Sequence, residues 1–263
     1  MNRGDFASKM SENSPSPIGW ERAGVRVRGE GRGEGSLRFV GSKRETSSAG
    51  ILPPPILVCF AMPEEAHPFR RLAAGHADLE ILLTGVGQKN AERALRASLA
   101  RHKPRLVLTC GFAGGLNPEL QVGDVLFSPG TAPVLKEELL AAGAREGCFQ
   151  CADRIAVTAA EKQALRQSVG ADAVEMESAV ILRICQEEDI PSTTIRVISD
   201  AAHEDLPLDF NRLMTPSQRL DPARLALAIL NSPGKFPALL RLRRQTRFAA
   251  ERLAQILAAV FLR

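Results

Sequence analysis

The stretch GADAVEMESAVILRICQEEDIPSTTIRVISD, residues 170–200, sets two carboxylates, Glu175 and Glu177, at an expected helix start. It then ends a β-branched run on Ser199-Asp200. Carboxylates can move a proton or stabilise a developing positive charge. One acid at a helix N-terminus is ordinary, because it complements the macrodipole, and Glu175 is expected to be such a solvated acid. A VEMES start followed by a strand closing on Ser-Asp calls for more than surface decoration.

The elements that must position these residues follow a β-α rhythm. ILVCFAM (56–62) is an unbroken apolar run, as for a strand buried on both faces. Further strands are expected at 77–85, 105–111, 124–128, 148–157 and 192–200. Helices are expected at 64–73, 88–102, 136–144, 159–169 and 174–189, the last strongly apolar. Strands alternating with helices imply one α/β domain: a mostly parallel, twisted central sheet flanked by helices. Residues 55–210 form the expected core. Residues 211–263, with DPARLALAILNS and KFPALLRLRRQTRFAAERLAQILAAVFLR, form a helical C-terminal extension packing on it. Residues 1–50, rich in Gly, Ser, Arg and Glu, bury too little to offset their ordering entropy and are expected to be a disordered tail.

In such a sheet, ligands bind at the carboxyl ends of the strands. AMPEEA (61–66), TGVGQKN (84–90), CGFAGGL (110–116) and ISDAA (198–202) all fall there, and VEMES joins the same edge. Neither TGVG nor GFAGG fits the dinucleotide pattern GxGxxG.

Composition narrows the function further. Residues 1–50 carry a net +3, residues 211–263 a net +8, and the middle a net −7, which is not the uniformly basic face of a nucleic-acid binder. Five cysteines and four scattered histidines give neither a disulfide framework nor a metal site, and CFQC (148–151) stands alone as a CxxC. No cofactor is implied. Without a secretory h-region or an 18-residue apolar run, a cytoplasmic location is the default. The basic, apolar C-terminal helix adds a candidate peripheral contact with anionic lipid or a lipid-bearing substrate.

ILVCFAMPEEA, TGVGQKNA, TCGFAGGLNPELQVGDVL, AVEMESAV and RVISDAA together resemble the purine nucleoside phosphorylase and nucleosidase superfamily. The likeness runs collinearly over about residues 55–210 and is similar to its methylthioadenosine/S-adenosylhomocysteine nucleosidase branch. The KFPALLRLRR helix and the short 124–148 stretch resemble the hopanoid-associated branch, which removes adenine from adenosylhopane. The resemblance implies a small purine nucleoside as substrate, adenine release, and a homodimer or larger assembly. A non-catalytic nucleoside-binding protein is the other class, which needs no proton donor.

The resemblance also implies roles. Asp200 would be the general acid towards purine N7, with Ser199 orienting it. Glu177 would hold the ribose hydroxyls, Met176 would pack on the sugar, and Glu65 would orient or deprotonate the attacking water. Thr84 with the amides around Gly85 and Gly114 would line the water or phosphate end. Ile155 takes the place of a Phe that usually stacks on adenine, and His203 is a loop residue. The position at which phosphorylases carry an Arg is Leu106, which favours water, with phosphate as the alternative nucleophile. A short 124–148 stretch would leave the 5′ end open to a long apolar group.

Overall fold

A computed structural model describes residues 54–262. The expected tail, residues 1–50, lies outside the described residues. The first strand, β1 (Ile56–Phe60), alternates its side chains between two cores. Ile56, Val58 and Phe60 join one core with Phe69, Leu253 and Leu257. Leu57 and Cys59 join the other with Leu95, Val180 and Ile184. That two-sided burial is why the run is apolar throughout.

Three further strands extend the parallel sheet from β1. They are β2 (Leu79–Leu83), β3 (Leu106–Gly115) and, late in the chain, β8 (Ser192–Asp200). Between β3 and β8 the chain forms β4 (Val125–Ser128), β5 (Arg145–Glu146), β6 (Phe149–Cys151) and β7 (Ala173–Glu175). The order across the sheet is β2-β1-β3-β8-β4-β5. The pairs β1–β2, β1–β3 and β3–β8 are parallel, whereas β4 runs antiparallel to β8. The single α/β domain with a mostly parallel sheet is therefore as expected.

Helices cover both faces. On the first lie α1 (Pro63–Leu72) and the inner half of the last helix, α8 (Phe236–Phe261); on the second lie α2 (Gln88–Leu99) and α5 (Ser178–Glu187). The remaining helices are α3 (Lys136–Ala141), α4 (Ala159–Val169), α6 (Phe210–Leu213) and α7 (Pro222–Leu230).

Three expectations are corrected. The strand expected to end at Gly111 continues through GFAGG, bending at a bulge between Ala113 and Gly114. The bent end of β3 then takes β7 as an antiparallel neighbour, so residues 173–175 are strand and α5 begins only at Ser178. The strand expected over 148–157 shrinks to three residues, because only Phe149–Cys151 find a partner, β7.

The C-terminal helices divide sharply. On α8, Ala249, Ala250, Leu253, Ala254, Ile256 and Leu257 are buried, spaced as one helical face. On α7, PARLALAIL buries none of its residues.

Candidate active site

Seven of the nine residues singled out from the sequence line one cavity of about 200 Å³ at the carboxyl ends of β1, β3 and β8. They are Glu65, Gly114, Ile155, Met176, Glu177, Ser199 and Asp200. Thr84 and Gly85 do not reach it. The Thr84 hydroxyl donates to the carbonyls of Phe60 and Gly85, and both residues line an adjoining cleft instead. Of the two Gly-rich stretches, GFAGG lines the cavity through Phe112, Ala113 and Gly114, and TGVG reaches it through Val86.

Glu65 sits at the third position of α1, started by Pro63. One carboxylate oxygen accepts from Met62 N (2.9 Å) and the other from Phe112 N (2.8 Å). Burial pushes its pKa up to about 7, against the pull of the Phe112 amide and of Arg196. β3 passes close to this carboxylate at Gly111, whose φ is +149°. A Cβ there would stand 2.7 Å from both Glu65 Oε1 and Arg196 Nη1, so no larger residue fits.

Arg196 is the residue that the sequence reading missed and the site depends on. It lies in the middle of β8, only 1% exposed. Its Nη2 meets Glu175 Oε2 at 2.6 Å, Thr109 Oγ1 at 3.1 Å and Glu177 Oε2 at 3.4 Å, and Nη1 donates to Cys110 O at 3.3 Å. Its signal was a charged residue inside the apolar run TTIRVIS, because a buried charge requires partners.

Those partners overturn the solvated reading of Glu175. Its carboxylate is fully buried. It accepts from Ser178 Oγ (2.6 Å), Ser178 N (2.8 Å) and Glu177 N (3.0 Å), so it caps α5 from the strand before it. Burial raises its pKa, but the Arg196 charge and these donors outweigh that and hold it below the ordinary carboxylate range. Glu177, the N-cap residue of α5, accepts from Gly87 N at 2.8 Å. Burial and the neighbouring Glu175 push its pKa up, opposed by Arg196.

The opposite wall has a second buried ion pair. Asp200 Oδ1 accepts from Ser199 Oγ at 2.7 Å, and Oδ2 lies 2.6 Å from Lys162 Nζ. No sequence signal marked Lys162, since a lysine in AAEKQALRQSV reads as solvated. Ile155 is braced by Asn211, whose side-chain amide bonds both its N–H and its carbonyl. Of the cysteines, Cys59, Cys110 and Cys185 are buried and their thiols raised by desolvation, and Cys148 is exposed.

A larger cleft of about 780 Å³ continues from the cavity, sharing Met62, Val86, Phe112, Phe210, Met214 and Leu242 with it. Its other walls include Leu83, Ala94 and Leu220, so it is chiefly apolar. Neither space is lined by residues 124–148. The cleft is walled instead by segments around α2, α6 and α8.

A family model for the phosphorylase superfamily matches residues 63–131 and 127–231. The chain belongs to this superfamily. A 5'-methylthioadenosine/S-adenosylhomocysteine nucleosidase of Bacillus cereus is 28% identical over 177 residues, covering 54% of this chain and 76% of that protein. The fold is shared with futalosine hydrolase of Helicobacter pylori, at TM-score 0.60 and 17% identity over 80% of this chain and 98% of the other. It is also shared with the Campylobacter jejuni methylthioadenosine/S-adenosylhomocysteine nucleosidase, at TM-score 0.54 and 20% identity over 77% and 98%. Superfamily membership accords with the resemblance carried by the VEME and ISD motifs.

Removing the guanidinium should expose how much it carries. Arg196→Met leaves Glu175 and Glu177 buried without a counter-charge and should cost about 3–5 kcal/mol in chemical denaturation. A loss below about 1 kcal/mol, the worth of a surface ion pair, would show that the buried cluster is not held by this residue.

Proposed function

We propose that this chain hydrolyses the N-glycosidic bond of an adenosyl-type nucleoside whose 5′ substituent is a long apolar group, such as the hopane skeleton of adenosylhopane. The observation that carries the reading is the apolar cleft opening directly from the carboxylate cavity. A nucleoside seated among the carboxylates would send its 5′ end into that cleft.

The two walls support the following roles. The bond breaks through a state with positive charge on the sugar and electrons passing to the purine. Asp200, oriented by Ser199, gives a proton to purine N7. Glu177 receives the ribose hydroxyls and, with Glu65, places negative charge beside the developing cation. Met176 packs on the sugar and Ile155 flanks the base. Glu65 takes a proton from the attacking water.

Water suits this wall better than phosphate. Glu65, Glu175 and Glu177 share the single guanidinium of Arg196, so ionisation of Glu65 and Glu177 makes the wall negative. A phosphate there would meet net repulsion rather than the fixed cation or amide nest it needs. Leu106 is buried in the core at the other end of β3, and Arg105 bonds Pro54 O and Asp78 instead.

The same cleft borders a surface suited to lipid. α7 exposes Leu227 and Leu230, and the start of α8 exposes Phe236 and Leu240. Arg224, Lys235, Arg241, Arg243 and Arg244 are exposed on the same two helices and the link between them. Exposed apolar residues interspersed along the helices with cations fit an anionic bilayer surface, whereas a second copy of this face would bring like charges together. Among the described residues no helix is long and apolar enough to cross a membrane, so the contact is peripheral.

Three measurements test this reading. Adenine release from a long-alkyl 5′ adenosine analogue should outpace that from methylthioadenosine. Each buried CH₂ contributes up to about 0.8 kcal/mol, so four extra methylenes could raise kcat/KM by about two orders of magnitude. Preference for methylthioadenosine would restore the thio-nucleosidase reading. Because Glu65 must be ionised to accept a proton and its pKa is raised to about 7, kcat/KM should fall as pH drops through about 7 and level off above it. A rate constant between about pH 5 and 9 would remove Glu65 from the base role. Finally, Leu227→Glu with Leu230→Glu, and separately Arg243→Glu with Arg244→Glu, should each abolish sedimentation with phosphatidylglycerol vesicles while methylthioadenosine turnover is kept. Unchanged sedimentation, or a halved mass in solution, would instead assign the face to something other than lipid.

A further inference from the structure

Lys162 is buried completely, yet it touches neither the cavity nor solvent. It stands on α4, behind the wall that carries Asp200. All three of its ammonium hydrogens have acceptors: Ala201 O at 2.8 Å, Glu204 O at 2.9 Å and Asp200 Oδ2 at 2.6 Å. Ala201 and Glu204 belong to the turn that leaves β8, so one ammonium ties that turn to the end of the strand. Across from it, Gly114 keeps the space narrow. A Cβ there would come within 3.3 Å of Asp200 Oδ2 and 3.9 Å of Lys162 Cε.

A lysine stripped of water is costly unless its charge has a use. A purely structural tie between two carbonyls and a strand could be made by a neutral donor. The ammonium is instead set against the carboxyl group that gains negative charge during the proposed reaction. As the bond between C1′ and N9 breaks, its electron pair passes to the purine. Asp200 releases its proton to N7 and retains the O–H pair, becoming a carboxylate. That carboxylate, with Ser199 on one oxygen and an ammonium on the other, is the arrangement seen here.

We propose that Lys162 is a positioning residue for purine departure: it fixes the Asp200 carboxyl against the base and stabilises the charge left there once the proton has moved. This rests on the reading of Asp200 as general acid. Lys162 itself contacts no substrate and acts wholly through Asp200. The same pair explains how a wall next to an apolar cleft can carry a charge-changing group without acquiring net charge in the product state.

A double-mutant cycle on adenine release tests it, with folding followed by circular dichroism. Lys162→Met should lower kcat about 10–100-fold, a part of the 10²–10⁴-fold expected of a general acid, with little change in KM. Asp200→Asn should give the larger loss. The double variant Lys162→Met/Asp200→Asn should be no slower than Asp200→Asn alone, because the lysine then has no carboxylate to serve. Multiplied losses in the double variant would overturn the proposal, as would a Lys162→Met enzyme with the native rate. If Lys162→Met fails to fold, the double variant, which buries no unpaired charge, decides; its own failure to fold would make Lys162 a structural lysine and overturn the idea. A nitrophenyl riboside supplies a second readout, because its leaving group departs without a proton. The ratio of adenine release to nitrophenol release should fall in Lys162→Met, whereas a general loss of structure would lower both and leave the ratio unchanged. Near-native activity in Asp200→Asn would instead sink the general-acid reading itself, an outcome distinct from failure of the lysine alone.

Discussion

The guanidinium of Arg196 lies where three strands and a helix start converge, and its burial dictates what surrounds it. A charge taken out of water must be paired and hydrogen-bonded. Glu175 meets that demand from β7, which is one reason the short strand lies against the bent end of β3. Having both oxygens engaged, Glu175 also receives the first amides of α5 and so sets where that helix begins. Glu177, the N-cap residue, is thereby turned towards the cavity and towards Gly87. The crowding extends to β3, where only glycine fits at position 111 between Arg196 and Glu65.

The two ion pairs divide the site electrically. Around Arg196 there are three carboxyl groups for one cation, so ionisation of Glu65 and Glu177 supplies negative charge that suits a sugar passing through a cationic state. Around Asp200 there is one carboxylate for one ammonium, a balance that suits a group which changes charge as the base leaves. An apolar cleft opens beside both. Low-dielectric walls strengthen each of these interactions relative to water, so the same apolar lining that suits a long substituent also sharpens the electrostatics.

The last helix links this chemistry to the outside of the molecule. Its inner half fills the core beside α1 with small and aliphatic residues on one face. Its outer half carries Leu242 into both spaces while setting arginines on the solvent side. One continuous helix therefore spans core, cleft wall and basic surface.

Local pattern was enough to place most elements, because buried strands and amphipathic helices carry their burial in their own periodicity. ILVCF and STTIRVISD are buried from end to end as their composition demands. The carboxyl-end rule by itself brings Glu65, Glu177 and Asp200 to one edge, since that rule depends only on strand direction. Partnership was not legible. Glu175 looked solvated and Lys162 unremarkable, because what makes a charge structural is a counter-charge distant in the chain: residue 196 for one and residue 200 for the other. Likewise VEME looked like helix until β3 was seen to bend and take β7 as a neighbour, a pairing between residues some sixty positions apart. Sequence determined which residues could do chemistry and at which edge of the sheet; only the tertiary structure decided which charges face each other, because electrostatic energy depends on distance in space rather than along the chain.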